Sequence, residues 1–392
     1  VNKFLKRLAI LALATVTLLG MKFASTAAPN GGMGNPDTSS TTPPKSSTTA
    51  KTTTRRRVAT TRRSTRHPRA VRDPWQRSSF ANPAAGDDPT GDDPVVRQAA
   101  VEALGKISGS MVVVDPNTGR ILSIVNQKLA LSSGFTPCST FKPVVALAAL
   151  REGIITPTTK LYVGNHTRVD VTDALARSNN VFFHNLGEML GFKRITEYAH
   201  EFGYGEKAGL DIPGESAGRY PPAPPKQGGV GFLAYCGTDI EVTALQLAAV
   251  ISTIANGGTL YALQYPRTQE ELAAFQPVVR RRLENLAEYI PQIRNGLAGT
   301  VLYGTGRSAY DPDFSILGKT GTCSENGARL GWFASYVGDL QPRYVTVVLL
   351  RGGRMVYGPH AAEIAGHFYR DLMQKEHITQ ASASSSAISS RR

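Results

Sequence analysis

The sequence predicts an α+β fold: an antiparallel β-sheet flanked by helices, plus a mostly helical subdomain. Three observations predict it. Strand-like runs sit at both ends of the folded part, near 110–125 and 315–350, while the long middle, 171–255, reads as helix. The last two strand candidates join through a short loop containing Gly338-Asp339, which makes them antiparallel neighbours. The sheet must then be assembled from chain regions far apart in sequence, around a helical insert.

The elements follow in order. Lys3, Lys6 and Arg7 make a charged start, Leu8 to Met21 is apolar, and Ser25-Thr26-Ala27-Ala28 supplies small residues. The apolar stretch is short for a membrane span, which needs ~20 residues. Residues 1–28 therefore read as a secretory leader, with an uncleaved anchor as the alternative. Either way the remainder is expected outside the cytoplasm, in the periplasm or cell envelope. Residues 29–95 are rich in Ser, Thr, Pro and Arg, too poor in apolar side chains to offset ordering entropy, and read as a disordered basic tether. The folded domain is expected at 96–375. It opens with a short helix at Val96 to Leu104. Ser110 to Asp115 and Arg120 to Val125 flank the turn signal PNTG and read as a hairpin. The helical middle is broken by the Pro/Gly-rich stretch Asp211 to Gly231. Gln269 to Ala298 reads as a charged helical section. Strand candidates follow at Ser315 to Cys323, Leu330 to Val337 and Tyr344 to Leu350. His360 to Lys375 closes the domain as a helix, and 376–392 reads as a disordered polar tail. No internal repeat is seen.

The 392 residues carry a net charge of +14. Residues 1–98 hold 16 Lys/Arg against 6 Asp/Glu, so most of the excess belongs to the leader and tether. Such a tether suits contact with anionic wall polymers or a membrane surface. An exported chain rarely meets nucleic acid, so nucleic acid is not expected as a partner. Three cysteines do not make a disulfide framework: one bridge or three small buried hydrophobes are both consistent. No Cys/His spacing suggests a metal, and no cofactor is expected.

One stretch does not fit a plain core helix. FTPCSTFKP places Ser139 three residues before Lys142, ahead of the apolar run Val144 to Leu150. On a helix that spacing puts both on one face, ~60° and ~4.5 Å apart. Pro143 fixes the helix start, because proline is tolerated only in the first turn. A run apolar all round enters the protein body and takes the lysine with it. A lysine in dry surroundings loses its proton near neutrality and can serve as the base that a serine nucleophile lacks. Alone this is weak, since about one or two S-x-x-K matches arise by chance in such a chain. Two further stretches strengthen it. Ser178-Asn179-Asn180 opens another apolar helix, where Ser178 taken singly reads as an N-cap. Lys319-Thr320-Gly321-Thr322 lies on a strand. There Lys319 is either an edge-strand charge or a cation near a cleft, and Gly321 lets a ligand backbone approach closely.

With STFK, SNN and KTGT in this order, the sequence resembles the penicillin-binding proteins and serine β-lactamases. GLDIPGESAGRYP (209–221), VTALQLAAVISTIANGG (242–258) and the NTGRILS hairpin look like the elongation-type class B transpeptidases. The resemblance covers about residues 108–373. The large amino-terminal pedestal usual in class B has no counterpart in the residues ahead of the domain. Cys236-Gly237-Thr238 stands where Gly-Gln-Gly is common, and Cys138 where a small residue usually precedes the nucleophile.

The resemblance implies roles. Ser139 attacks the carbonyl of a D-alanyl-D-alanine bond, Lys142 takes its proton, and Ser178 relays a proton to the leaving amine. Asn180 holds the substrate amide. Lys319, Thr320 and Thr322 set the field and bind the substrate carboxylate, with Gly321 giving backbone access. The implied partners are peptidoglycan stem peptides and β-lactams, which would stall as acyl-enzymes. The implied activity is a D,D-transpeptidase or D,D-carboxypeptidase. The alternatives are a β-lactamase and a non-catalytic β-lactam sensor or scaffold.

Overall fold

Asp93 starts the first helix: its carboxylate accepts from Val95 N–H and Val96 N–H at 3.0 and 3.1 Å, and Pro94 occupies the first turn. The computed structural model describes residues 75–389, other than 133 and 339. All of them lie in one unit, Arg69–Arg392. The expected leader and the tether as far as residue 74 lie outside the described residues.

The end of the tether is a correction. Residues 75–93 lie on the domain instead of leading to it. Phe80 bridges Ile107, Arg97 pairs with Asp87 at 2.8 Å and Asp92 at 3.1 Å, and Asp92 also accepts from Ser123 Oγ at 3.0 Å. Asp87 and Asp92, inside the stretch that read as a basic tether, are residues that anchor it.

The elements run α1 (Pro94–Leu104), β1 (Gly109–Val114), β2 (Ile121–Val125), α2 (Gln127–Leu131), α3 (Lys142–Arg151), β3 (Leu161–Tyr162), β4 (Arg168–Val169), α4 (Val171–Ala176), α5 (Asn180–Glu201), α6 (Gly229–Cys236) and α7 (Ala244–Ala255). They continue as β5 (Thr259–Ala262), α8 (Gln269–Ala273), β6 (Val278–Arg282), α9 (Ile290–Leu302), β7 (Ile316–Glu325), β8 (Ala328–Val337), β9 (Tyr344–Gly352) and α10 (Gly358–Ser389). The backbone of α10 thus continues past Lys375, where the domain was expected to end.

The main sheet has the order β2-β1-β9-β8-β7, with every pair antiparallel. Both chain ends build it, as expected. Alternation divides each strand between two layers. Val112 and Val114 face the core shared with α3, α5 and α7, while Met111 and Val113 face the core shared with α1 and α10. Cover on both faces explains why the strands read as nearly unbroken apolar runs. Strand β7 is left at the edge.

The charged section 269–298 is not one helix. Val278–Arg282 forms β6, which pairs antiparallel with β5. Two valines and three arginines resemble an exposed helix face, but Pro277 stops α8 from continuing and the β-branched pair completes a two-stranded sheet. The GLDIPGE stretch is a loop closed on itself: the buried Glu215 carboxylate accepts from Ala208 N–H at 2.6 Å and Gly209 N–H at 3.0 Å. Among the described residues, no helix is long and apolar enough to cross a membrane.

Candidate active site

Three chain regions converge at the open edge of the sheet. The first is the turn before α3. Cys138–Phe141 is a 3-10 turn that runs into the helix, with Pro143 in the first turn as anticipated. Ser139 is half-buried at this entry, and Lys142 is fully buried. Helix α3 is buried on every side, so the lysine has no route to solvent. Its Nζ lies 5.4 Å from the Phe183 ring centroid and 6.0 Å from that of Tyr235.

The second region is the junction of α4 and α5. Ser178 is not the N-cap. Asn179 caps α5, accepting from Phe182 N–H at 2.9 Å, which leaves the Ser178 hydroxyl for other partners. Ser178 has φ +54°, an unusual conformation for a residue with a Cβ. Lys142 Nζ donates to Ser178 O at 2.8 Å, Ser178 Oγ at 3.1 Å and Asn180 Oδ1 at 2.7 Å.

The third region is β7. Lys319 is buried, not an edge charge, and its Nζ donates to Ser178 Oγ at 2.8 Å and Thr320 O at 3.0 Å. Gly321 admits protein: a Cβ there would lie 3.0 Å from Pro137 O and 3.2 Å from Thr140 Cγ2. The missing side chain lets the Ser139 turn press against the strand. Alternation then separates the motif. Lys319, Gly321, Cys323 and Glu325 face the turn, while Thr320 and Thr322 face the other way. Thr320 Oγ1 lies 2.5 Å from Thr305 Oγ1, and Thr322 Oγ1 accepts from Gly358 N–H at 2.7 Å.

Electrostatics follow from burial. Removal from water lowers Lys142 from 10.5 to about 7, with the Cys236 thiol acting weakly in the opposite sense. Burial first, and the neighbouring Lys142 second, hold Lys319 well below the ordinary lysine range. Two amines around one hydroxyl cannot both keep a proton cheaply. Among the described residues, Lys142 makes no hydrogen bond to the Ser139 hydroxyl. The lysine is dry, as expected, but it is turned toward Ser178 and Asn180.

Residues 109–374 match the penicillin binding protein transpeptidase domain. The chain belongs to this family. Relatives of this transpeptidase domain include stage V sporulation protein D of Bacillus subtilis, 30% identical over 288 residues, which cover 64% of this chain and 44% of the relative. Peptidoglycan D,D-transpeptidase FtsI of Escherichia coli is 25% identical, with 69% of this chain and 52% of the relative covered. The chain spans about half the length of the curated relatives it matches. Among solved structures, the transpeptidase domain of penicillin-binding protein 3 from Burkholderia pseudomallei superposes with a TM-score of 0.63 at 21% identity. That match covers 74% of this chain and 96% of the other and places the fold with the transpeptidase domains.

Several residues of this transpeptidase domain carry no sequence signal. Thr305 reaches Thr320 from a loop without a motif. Glu325 accepts from Thr136 N–H at 3.0 Å and Thr136 Oγ1 at 2.7 Å, and Trp332 Nε1 donates to Thr136 O at 3.0 Å, so the Ser139 turn is tied to β7 and β8 from below. Cys138 and Cys323 form a disulfide, the single bridge that three cysteines allowed. Cys236 is a free, half-buried thiol. Among the described residues, no group of three or more His, Cys, Asp or Glu side chains could hold a metal.

Proposed function

We propose that this domain is a serine D,D-transpeptidase acting on D-alanyl-D-alanine peptides of peptidoglycan. The observation that carries the reading is the pair of buried amines, Lys142 and Lys319, converging on the Ser178 hydroxyl, with Lys142 three residues after Ser139. A buried amine with a pKa of about 7 is a base at physiological pH without histidine. Neutral, it has two N–H donors, and Ser178 O and Asn180 Oδ1 can take both. Its lone pair is then free to accept a proton.

Lys142 swings its terminal atoms from Ser178 toward Ser139 and takes the hydroxyl proton as Ser139 Oγ attacks the carbonyl carbon. The oxyanion is held by the backbone N–H groups of Ser139 and Thr322, and each such donor is typically worth ~3 kcal/mol. The C–N bond then breaks, Ser178 passes its proton to the leaving D-alanine amine and takes one back from protonated Lys142 at 3.1 Å, and Ser139 is left acylated. An amine from a second stem peptide attacks the ester and gives a proton to Lys142, and the ester C–O bond breaks as Lys142 returns that proton to Ser139 Oγ. Asn180 aligns the substrate amide and Lys319 favours its carboxylate end, whereas the Thr320 and Thr322 hydroxyls are turned to the other face of β7 and engaged by Thr305 and Gly358. β-Lactams would acylate Ser139 by the same route. Hydrolysis of that adduct, the β-lactamase reading, needs a carboxylate or other base aimed at water. Glu325, on the face of β7 toward Ser139, is already held by Thr136. The reading places the domain outside the cytoplasm, in keeping with the leader-like residues 1–28.

Labelling with a fluorescent penicillin tests this. A persistent adduct that vanishes in Ser139→Ala is expected, and labelling that survives the substitution would show the nucleophile is elsewhere. Stem peptides with an acceptor amine should yield cross-linked product as well as free D-alanine. Release of D-alanine with no cross-link would make the enzyme a carboxypeptidase, and rapid loss of label over many turnovers a β-lactamase.

A further inference from the structure

All three cysteines of the chain stand around the candidate active site. Cys138 immediately precedes Ser139, and Cys323 immediately follows Thr322. Their disulfide brings Cα atoms 185 positions apart in sequence to 5.7 Å. It therefore joins the turn that carries the proposed nucleophile to the strand that carries the proposed oxyanion donor, one residue away from each. A bridge serving stability alone has no need of that address.

The turn calls for a restraint. Cys138 has φ +52°, a left-handed conformation that a residue with a side chain adopts at a cost. The other ties between this turn and the sheet, to Glu325 and Trp332, are non-covalent and end at Thr136, three residues before Ser139. Between Thr136 and α3, the bridge is the tie closest to the reacting hydroxyl. Oxyanion donors act only when the attacked carbon fits between nucleophile and N–H, so a small widening between turn and strand is felt in the rate.

We propose that the Cys138–Cys323 disulfide is a positioning element for acyl transfer, which fixes Ser139 relative to Thr322 and makes the acylation rate depend on its oxidation state. The inference rests on the acyl-transfer reading above.

Reduction by a dithiol is chemically open from one side. Cys138 is fully buried, whereas Cys323 is half-buried. A reagent thiolate attacks Cys323 Sγ, the S–S bond breaks, and Cys138 leaves as a thiolate that takes up a proton. The reagent's second thiol, as its thiolate, then attacks the mixed disulfide. Cys323 leaves and is protonated, and the reagent departs as its own cyclic disulfide, two electrons having passed to the protein. The third cysteine is a poor competitor in this exchange: burial pushes the Cys236 thiol up, so little thiolate is present near neutrality.

The test uses the full chain carrying Cys236→Ser, so that any effect of the reagent belongs to the pair. Acylation by a fluorescent penicillin is timed before and after dithiothreitol, with a thiol count to confirm reduction and near-ultraviolet circular dichroism to confirm the fold. Reduction is expected to slow acylation at least tenfold. The loss should fall in the covalent step, not in preliminary binding, and re-oxidation should restore the rate. Cys138→Ala/Cys323→Ala, added to the same chain, should be slow and indifferent to the reagent. Equal rates in the two redox states overturn the proposal, as does a loss confined to binding. If the double variant does not fold, the reduced and re-oxidised protein decides alone, and a loss that re-oxidation does not recover counts against the proposal. No label in either state would instead overturn the acyl-transfer reading itself.

Discussion

Two turns of this domain solve the same problem with different materials. Each places a non-glycine residue in the left-handed region just ahead of a helix: Cys138 at φ +52° before the buried α3, and Ser178 at φ +54° before the partly exposed α5. The first is held covalently, by a disulfide to β7, and by apolar cover. The second is held by polar contacts: the Asn179 cap, and the two lysines that meet at Ser178 Oγ. The difference teaches how each turn responds to its surroundings. A covalent clamp is indifferent to pH and sensitive to redox state. A hydroxyl caught between two amines is sensitive to every proton that enters the site.

The strongest way to break this comparison is Lys142→Ala. It removes the base from one turn and a donor from the other. Acylation should fall by about 10³-fold or more, within the range general-base loss produces, as read from the rate of fluorescent-penicillin labelling. Retention of most of the rate would mean that another group takes the Ser139 proton.

Titration sharpens the comparison further. A protonated amine cannot accept a proton, so acylation should rise with pH and level off above about 7. Below that it should fall tenfold per pH unit. The sign for stability agrees: between about 7 and the ordinary lysine value of 10.5, the unfolded chain keeps a proton that folded Lys142 has shed. Stability of the ligand-free domain should therefore increase across that window, as thermal melts at a series of pH values would register. A flat pH–rate profile through neutrality would place the titrating group elsewhere.

The smallest effect expected is that of Asn179→Ala. Loss of a cap costs ~1 kcal/mol, visible in a denaturant titration. The Ser178 hydroxyl would then be free to cap the helix in its place, and labelling should slow severalfold. An unchanged labelling rate alongside reduced stability would show that the cap serves the helix alone.

The motif residues were legible because each signal is local. Pro143 announces the helix start, the unbroken apolar run announces burial of Lys142, and SNN and KTGT carry their spacing within a few residues. The hairpin around PNTG and the antiparallel pair joined through Gly338-Asp339 were legible for the same reason. What stayed hidden depends on contacts across the chain. The pairing of Cys138 with Cys323 is a tertiary fact that no spacing encodes. Which of Ser178 and Asn179 caps α5 depends on where two lysines end. The run Val278–Arg282 carries helix-like charge, and only its partner β5 makes it a strand. The acidic residues from Asp87 to Asp93 read as a linker until Arg97 is placed beside them.

Strand β7 ends the main sheet with one side unpaired. A free border of this kind is a ruler. Its outward amide groups recur every second residue, about 6.8 Å apart. An extended chain laid along it is therefore measured in pairs of residues, and a slip of a single position would turn each of its side chains toward the opposite wall.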